Sequence, residues 1–105
     1  MPDIATLNDN FRKTFIGGEV LLSAGIAAMS SEDKANIVSL VQNFDNFNED
    51  NDPYGEHDFG SFDYKGNKIF FKIDNYDTDF LFLSPDVTNP RVTNKVLTIM
   101  LAEEY

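Results

Sequence analysis

The chain has 105 residues with 18 acidic and 8 basic side chains, which gives a formal net charge of −10 at pH 7. That length fits one domain, and a hydrophobic content of 42% excludes intrinsic disorder despite the charge. Cysteine is absent, which excludes a disulfide framework, a Cys-ligated metal site and thiol catalysis. We therefore expect a single domain over residues 1–105.

The acidic balance also limits the class of partner. Direct binding of nucleic acid needs clustered Lys and Arg, and the chain does not offer them. A negative surface favours instead a protein partner with a basic surface, such as a nucleic-acid-binding complex. No apolar stretch approaches the roughly 20 residues of a membrane span, and the start does not resemble a secretory signal. We expect a cytoplasmic protein that does not bind membranes.

The first half of the chain shows helical periodicity. Apolar residues recur at spacings of three and four over 3–15, and Gly17-Gly18 follows as a helix terminator. The short run 20–22 is predicted to be a buried strand, whereas 24–29 is ambiguous. Ser30 or Ser31 can cap a second helix that ends near residue 44. Residues 45–55 combine Asn, Asp, Pro and Gly without periodicity, which predicts a loop.

A β-hairpin is the most legible feature of the second half. Strands are predicted over 56–64 and 68–74, around the turn Lys65-Gly66-Asn67. Alternation places Phe62, Tyr64, Ile69, Phe71 and Ile73 on one face, which is predicted to be core. The other face is predicted to hold His57, Phe59, Ser61, Asp63, Lys68, Phe70, Lys72 and Asp74, a mixed set that a helix could also cover.

Two further elements complete the predicted fold. A third strand is expected over 79–83, and Asn89 followed by Pro90 is typical of a helix start, so a last helix is expected over 90–103. The fold class is α+β, with three helices packed on a three- to four-stranded antiparallel sheet in the order α-β-α-β-β-β-α.

Acidic side chains concentrate in the middle of the chain. Residues 45–79 hold ten Asp and Glu against three Lys, which is −7 of the total −10. We interpret this segment as an exposed recognition surface, although acidic runs also serve as solubilising loops. The predicted interaction residues are Asp45, Glu49, Asp50, Asp52, Tyr54, Glu56, His57, Asp58, Phe59 and Phe70.

A divalent cation is the alternative ligand of the same loop. Oxygen ligands and one imidazole suit hard or borderline cations, and the candidates are Asp52, Glu56, His57 and Asp58. The EF-hand template does not fit, because Ser61 falls where its bidentate Glu belongs. Ser61 is also too far along the strand from His57 to form a nucleophile–base pair. We assign no catalytic residue, and we expect no cofactor beyond such a cation.

Three segments resemble an uncharacterised bacterial family. They are Leu7-Asn8-Asp9-Asn10-Phe11-Arg12, the stretch Asn51-Asp52-Pro53-Tyr54-Gly55-Glu56-His57-Asp58-Phe59-Gly60, and Val96-Leu97-Thr98-Ile99-Met100-Leu101-Ala102-Glu103-Glu104-Tyr105. The chain is similar to short proteins of unknown function that are common in alphaproteobacteria and on plasmids and other mobile elements. The resemblance implies kinship without an activity, and its mobile-element setting suggests an anti-defence role.

The sequence thus favours a small acidic protein-interaction module. In its narrower form the module imitates the phosphate backbone and inhibits a nucleic-acid-binding host factor. A metal-binding domain or metal-dependent enzyme built on the Asp52–Asp58 segment is the first alternative. A structural module that forms homodimers is the second.

Overall fold

The first helix is capped at both ends. The structure is a computed structural model and describes residues 3–105. Helix α1 spans Ile4–Thr14, and the Asp3 carboxylate accepts a hydrogen bond from the backbone N–H of Thr6 at 2.9 Å. After the helix, Phe15 adopts a left-handed conformation (φ 59°), and its N–H donates to the carbonyl of Phe11. The helix predicted over 3–15 is confirmed to within one residue at each end.

One strand and two more helices follow before residues 43–58, which we call the acidic loop. Strand β1 spans Gly18–Leu22, helix α2 spans Ala24–Ala27 and helix α3 spans Ser31–Gln42. Helix α3 begins as predicted, with the Ser30 hydroxyl accepting a hydrogen bond from Asp33 N. The expectation of a buried strand over 20–22 is wrong in one respect. Because β1 lies at the edge of the sheet, Leu21 and Leu22 are 51% and 37% exposed.

The hairpin forms around the predicted turn, although its first strand begins at Phe59 and not at residue 56. Strand β2 spans Phe59–Tyr64 and strand β3 spans Asn67–Tyr76, joined by Lys65 and Gly66 at φ 49° and 83°. Two successive residues with positive φ are the signature of a type I′ turn, which matches the twist of a hairpin. Phe62 pairs with Ile69, so the predicted core face is confirmed.

The C-terminal segment is a strand, and the prediction of a helix over 90–103 is wrong. Strand β4 spans Asn94–Leu101, and only a short 3-10 helix, Ala102–Glu104, follows it. Val96, Leu97, Ile99 and Met100 lie on both faces of this central strand and are all buried. Such a run has the same spacing as a helical stripe. The Asn89-Pro90 pair forms a turn, in which Asn89 Oδ1 accepts from Arg91 N.

The strand predicted over 79–83 is also wrong. Strand β3 is already paired with β2 on one side and with β4 on the other, so neither edge is free. The segment forms an exposed turn instead, in which only Leu83 makes an isolated bridge to Tyr76.

The four strands form one mixed sheet. Their spatial order is β1-β4-β3-β2, with β1 parallel to β4 and the other two pairs antiparallel. The α+β class is therefore confirmed, whereas an entirely antiparallel sheet and the order α-β-α-β-β-β-α are corrected. The observed order is α-β-α-α-β-β-β with a final 3-10 helix.

All three helices pack on one face of this sheet. The core joins helix residues to strands β3 and β4; its buried members are Phe11, Ile26, Ile37, Val41, Ile69, Phe71, Ile73, Leu97 and Ile99. The opposite face has no helix against it among the described elements. Within residues 3–105, no helix is long and apolar enough to cross a membrane.

Gly60 shows how tightly β2 fits this core. A Cβ atom at this position would lie closer than 3.0 Å to the rings of Phe71 and Phe44. We predict that Gly60→Ala lowers the free energy of unfolding by about 1–3 kcal/mol, because rigid aromatic neighbours must move. Urea denaturation measures this, with Ser61→Ala on the opposite face as the control. Equal denaturation midpoints for the two variants would contradict the expectation.

Candidate functional site

A buried carboxylate organises the turn that precedes β2. Asp52 is 7% exposed, and its Oδ1 and Oδ2 accept hydrogen bonds from Glu56 N at 2.9 Å and His57 N at 3.1 Å. Gly55 and His57 both have positive φ, which lets the backbone fold back toward the carboxylate. Asp52 therefore holds the shape of the turn from within.

Helix α1 contacts the same turn through two neighbouring polar residues. Asn8 donates from Nδ2 to the Glu56 carbonyl at 2.9 Å. His57 Nδ1 lies 3.0 Å from each carboxylate oxygen of Asp9. Two segments that are 48 residues apart in the chain thus meet in one polar network, which we call the Asp9–His57 network. It comprises Asn8, Asp9, Arg12, Asp52 and His57.

Arg12 links this network to the start of the acidic loop. Its guanidinium is 1% exposed and donates to Asp9 Oδ1 at 2.7 Å and to the Phe44 carbonyl at 3.0 Å. The charge also lies over the Phe47 ring, 5.1 Å from its centroid. His57 stacks on the same ring at 4.1 Å with an interplanar angle of 4°. Arg12 Nε is buried without a hydrogen-bond partner among residues 3–105.

The carboxylates around the turn differ in their electrostatics. Burial raises the pKa of Asp9, but hydrogen bonds from Arg12 and His57 outweigh it, so the net pKa is lowered. Burial raises the pKa of both Glu56 and Asp58, and neighbouring carboxylates add to this effect. The network therefore stabilises one ionised carboxylate, whereas the two carboxylates beside it are less easily ionised than in water.

A half-buried lysine extends the network into the sheet. Lys95 on β4 donates from Nζ to Asn8 Oδ1 at 2.8 Å and to Asn75 Oδ1 at 2.6 Å. Burial lowers the pKa of Lys95 to about 8. The two amide oxygens accept two of its three hydrogens without neutralising its charge.

An open cleft of about 510 Å³ lies beside the network. It is lined by Asp9, Arg12, Lys13, Gln42, Asn43, Phe44, Asp45, Phe47 and His57. None of these residues is Ser, Thr or Cys, so no side-chain nucleophile of that kind accompanies His57. Both ring nitrogens of His57 already face carboxylates, with Nε2 lying 3.8 Å from Asp52 Oδ2. The arrangement positions the loop, and it does not form a nucleophile–base pair.

The predicted face of His57, Phe59 and Phe70 does not form. The positive φ of His57 takes it out of strand alternation, and its ring packs on the helix side of the sheet. Phe59 and Phe70 lie on the opposite face, 5.1 Å apart between centroids, with Tyr105 against both. The three residues therefore belong to two surfaces.

The predicted metal ligands do not gather into a cluster. Within the described part of the chain, no group of three or more His, Asp or Glu side chains is placed to hold one ion. Both carboxylate oxygens of Asp52 already accept hydrogen bonds from backbone N–H groups. The cation at Asp52, Glu56, His57 and Asp58 stays a prediction that the geometry does not favour.

The remaining predicted acids are exposed. Asp45, Glu49 and Asp50 have no hydrogen-bond or ion-pair partner for their carboxylates among residues 3–105. Amide side chains shape this part of the loop instead: Asn48 N donates to Asn51 Oδ1 at 2.9 Å, and Asn48 Oδ1 accepts from Asp50 N at 2.9 Å. Tyr54, farther along, is 86% exposed. Of the predicted interaction residues in this loop, Asp45, Glu49, Asp50 and Tyr54 are thus exposed, whereas Asp52 is buried.

Residues of α1 and β4 are the ones that the sequence interpretation missed. Asn8, Asp9 and Arg12 lie in the opening segment that carried the family resemblance, but no spacing rule connected them to the loop. Lys95 was assigned to a helix that does not exist. A polar stretch inside the helical stripe of α1 was the only available signal.

A family model covers most of the chain. The family described as "Protein of unknown function (DUF3768)" matches residues 22–104. The chain belongs to the DUF3768 family. Comparison with curated proteins and with solved structures gives no match. The matched range contains the loop and strands β2 to β4, whereas α1 precedes it, so the Asp9–His57 network joins the matched region to the residues before it.

We predict that Asp9→Asn lowers the free energy of unfolding by about 1–3 kcal/mol at pH 7, because it leaves the buried Arg12 without a charged partner. The pKa of Asp9 is lowered below 3.8 on folding, so its contribution is complete above that pH and is lost as the pH falls through the folded value. The difference between wild type and variant should therefore shrink in acid. Urea denaturation at pH 7 and at a pH below 3.8 tests this.

Asp45→Asn is the matched control, since Asp45 lies exposed beside the same cleft. It should change the free energy of unfolding by less than about 0.5 kcal/mol. An Asp9→Asn effect that is the same at neutral and acidic pH would count against the ionic role of Asp9.

The lowered pKa of Lys95 leads us to predict that the free energy of unfolding rises at alkaline pH. Between about 8 and the ordinary value of 10.5, the unfolded chain binds more protons than the folded chain, so the free energy of unfolding increases with pH. Lys95→Met should remove this rise, whereas Lys68→Met, at an exposed position, should keep it. Urea denaturation across that window measures the slope, and an unchanged slope in Lys95→Met would refute the assignment.

Proposed function

We propose that this DUF3768 protein is a small acidic protein-interaction module whose partner presents a basic surface. The observation that carries the proposal is the exposure of Asp45, Glu49 and Asp50, whose carboxylates form no hydrogen bond or ion pair among the described residues. Elsewhere the chain does pair its carboxylates with lysines, as in Lys65–Asp33 at 2.9 Å and Lys72–Asp74 at 3.1 Å. Unpaired carboxylates on one loop supply a field that a basic partner can neutralise.

Anchoring at both ends supports this use of the loop. Arg12 binds the Phe44 carbonyl at the start of the loop, and Asp52 binds backbone N–H groups near its end. Between these anchors, Asn48 and Asn51 close the turn that carries Glu49 and Asp50. A loop that is ordered before binding loses less conformational entropy on association.

The set of residues proposed to contact the partner is smaller than the sequence suggested, because burial removes three acids from it: Asp52, Glu56 and Asp58. Asp52 is buried, and Glu56 and Asp58 are partly buried with raised pKa values. We assign recognition to Asp45, Glu49 and Asp50, with Tyr54 as the exposed aromatic of the same loop.

In its narrower form the module acts as an anti-defence inhibitor of a nucleic-acid-binding host factor. Carboxylates along an ordered loop can occupy a basic groove in place of phosphates. The net charge of −10 and the resemblance to proteins of mobile elements support this form. Because the imitation is electrostatic, its strength must fall as salt rises.

Displacement of DNA tests the proposal. A short fluorescent duplex is bound to a basic, sequence-independent bacterial DNA-binding protein, and this chain is titrated in. We predict displacement that weakens as NaCl increases, and a loss of about tenfold in potency for the triple variant Asp45→Asn, Glu49→Gln, Asp50→Asn. Fluorescence anisotropy provides the measurement.

The matched control is Glu19→Gln, Asp63→Asn, Glu103→Gln, which removes the same three charges from exposed positions outside the loop. It should lose much less potency than the loop variant. Equal losses would show that only net charge matters, and displacement that is insensitive to salt would remove the phosphate-imitating form.

A further inference from the structure

Four consecutive apolar side chains are exposed in the turn that follows β3. Phe80 is 45% exposed, and Leu81, Phe82 and Leu83 are 72%, 72% and 76% exposed. Single exposed apolar residues are ordinary on protein surfaces, whereas a contiguous group marks a contact site. We call residues 77–84 the apolar turn.

Hydrogen bonds within the apolar turn hold its shape. Asp77 N donates to the Phe82 carbonyl at 2.8 Å, and Phe80 N donates to the Asp77 carbonyl at 3.1 Å. The Asp77 side chain accepts from Asp79 N at 3.2 Å and from Leu81 N at 3.0 Å. One carboxylate therefore fixes the backbone beneath the exposed side chains.

The base of the turn is tied to the sheet. Ser84 N donates to the Asn75 carbonyl at 2.9 Å, and Leu83 forms its bridge to Tyr76. From β4, Asn94 donates to the Asp77 carbonyl at 3.3 Å and to the Thr78 carbonyl at 3.2 Å. The exposed side chains thus stand on a backbone that is already ordered, which reduces the entropy lost on binding.

Phe80 adopts a conformation that favours glycine. Its φ of 58° lies in the left-handed region, which is unfavourable for an aromatic residue. Such strain persists where the surrounding structure enforces it, and it concentrates at ligand contacts. Here the strained residue is the first of the four exposed apolar side chains.

The charged residues within 75–90 are all acidic, and Arg91 is the first basic residue after them. Residues 75–90 include Asp77, Asp79 and Asp86 and no Lys or Arg. Like charge disfavours a second copy of this chain at the same patch, and it disfavours the anionic surface of a membrane. Charge complementarity instead selects a partner that combines apolar groups with Lys and Arg.

We propose that the apolar turn is a second protein-contact surface, which binds a basic amphipathic helix of a partner. The apolar side of that helix covers Leu81, Phe82 and Leu83, and its basic residues meet the surrounding carboxylates. The inference rests on the proposed function in taking the partner to be a basic protein, but it assigns the contact to different residues.

Binding of synthetic peptides tests the inference. The probe is a helical peptide with Leu on one side and Lys on the other, and two comparison peptides replace Leu by Ser or Lys by Glu. We expect only the basic amphipathic peptide to bind, and Leu81→Ser with Phe82→Ser to weaken its affinity at least about tenfold. Ile16→Ser with Leu40→Ser is the matched control, since both residues are exposed elsewhere, and it should bind as wild type does.

Several outcomes would overturn the inference. The first two are that the basic amphipathic peptide does not bind, or that it binds the Leu81→Ser, Phe82→Ser variant as tightly as the wild type. The other two are that neutral or anionic lipid vesicles bind as tightly as the peptide does, or that the chain forms a concentration-dependent dimer that this variant abolishes. Because the side chains are exposed, the melting temperature should not change in either variant, so lost binding is separable from unfolding.

The loop triple variant separates this inference from the proposed function. Loss of peptide binding in the turn variant, with DNA displacement retained, supports the apolar turn and leaves the loop to be judged by its own variant. If the loop variant loses DNA displacement but the turn variant binds the peptide as the wild type does, only the inference about the apolar turn is overturned. If the chain neither displaces DNA nor binds the basic amphipathic peptide, both the proposed function and this inference are overturned.

Discussion

A buried guanidinium determines how the N-terminal helix meets the rest of the chain. A charge as buried as Arg12 is strongly destabilising unless it is paired and hydrogen-bonded. Asp9 and the Phe44 carbonyl satisfy that requirement, and Asp9 is thereby fixed beside His57. His57 belongs to the turn that Asp52 organises. The pairing of the buried Arg12 charge therefore connects α1 to both ends of the acidic loop.

The local features of the fold could be predicted, and the pairing of distant strands could not. The Ser30 cap of α3, the Lys65-Gly66 turn and the core face of the hairpin depend on neighbouring residues, and those predictions were confirmed, whereas the Asn89-Pro90 cap was wrong. The segment Asn94–Leu101 becomes a strand because β1 and β3 lie on either side of it, and this information is spread over the whole chain. Its β-branched residues Val96, Thr98 and Ile99 were the local signal that favoured a strand.

The same distinction applies to the candidate site. Composition identifies the acidic segment, but it could not separate carboxylates that support the turn from those that face solvent. Asp52 and Asp50 are two residues apart, yet one is buried on backbone N–H groups and the other is exposed. That difference arises because α1 covers the end of the loop and not its middle, a long-range contact that the spacing of acids does not encode.

Two features of the surface support the proposed contact role over a purely structural one. Unpaired carboxylates repel one another and destabilise the compact state, and exposed apolar side chains promote association. This chain offsets such costs elsewhere, with lysines beside Asp33 and Asp74 and with a core of nine buried apolar residues. It does not do so at Asp45–Asp50 or at Phe80–Leu83, although hydrogen bonds order the backbone at both places. Ordered backbone under such side chains fits the two proposed contact surfaces, in which a partner would supply the cation and the apolar cover.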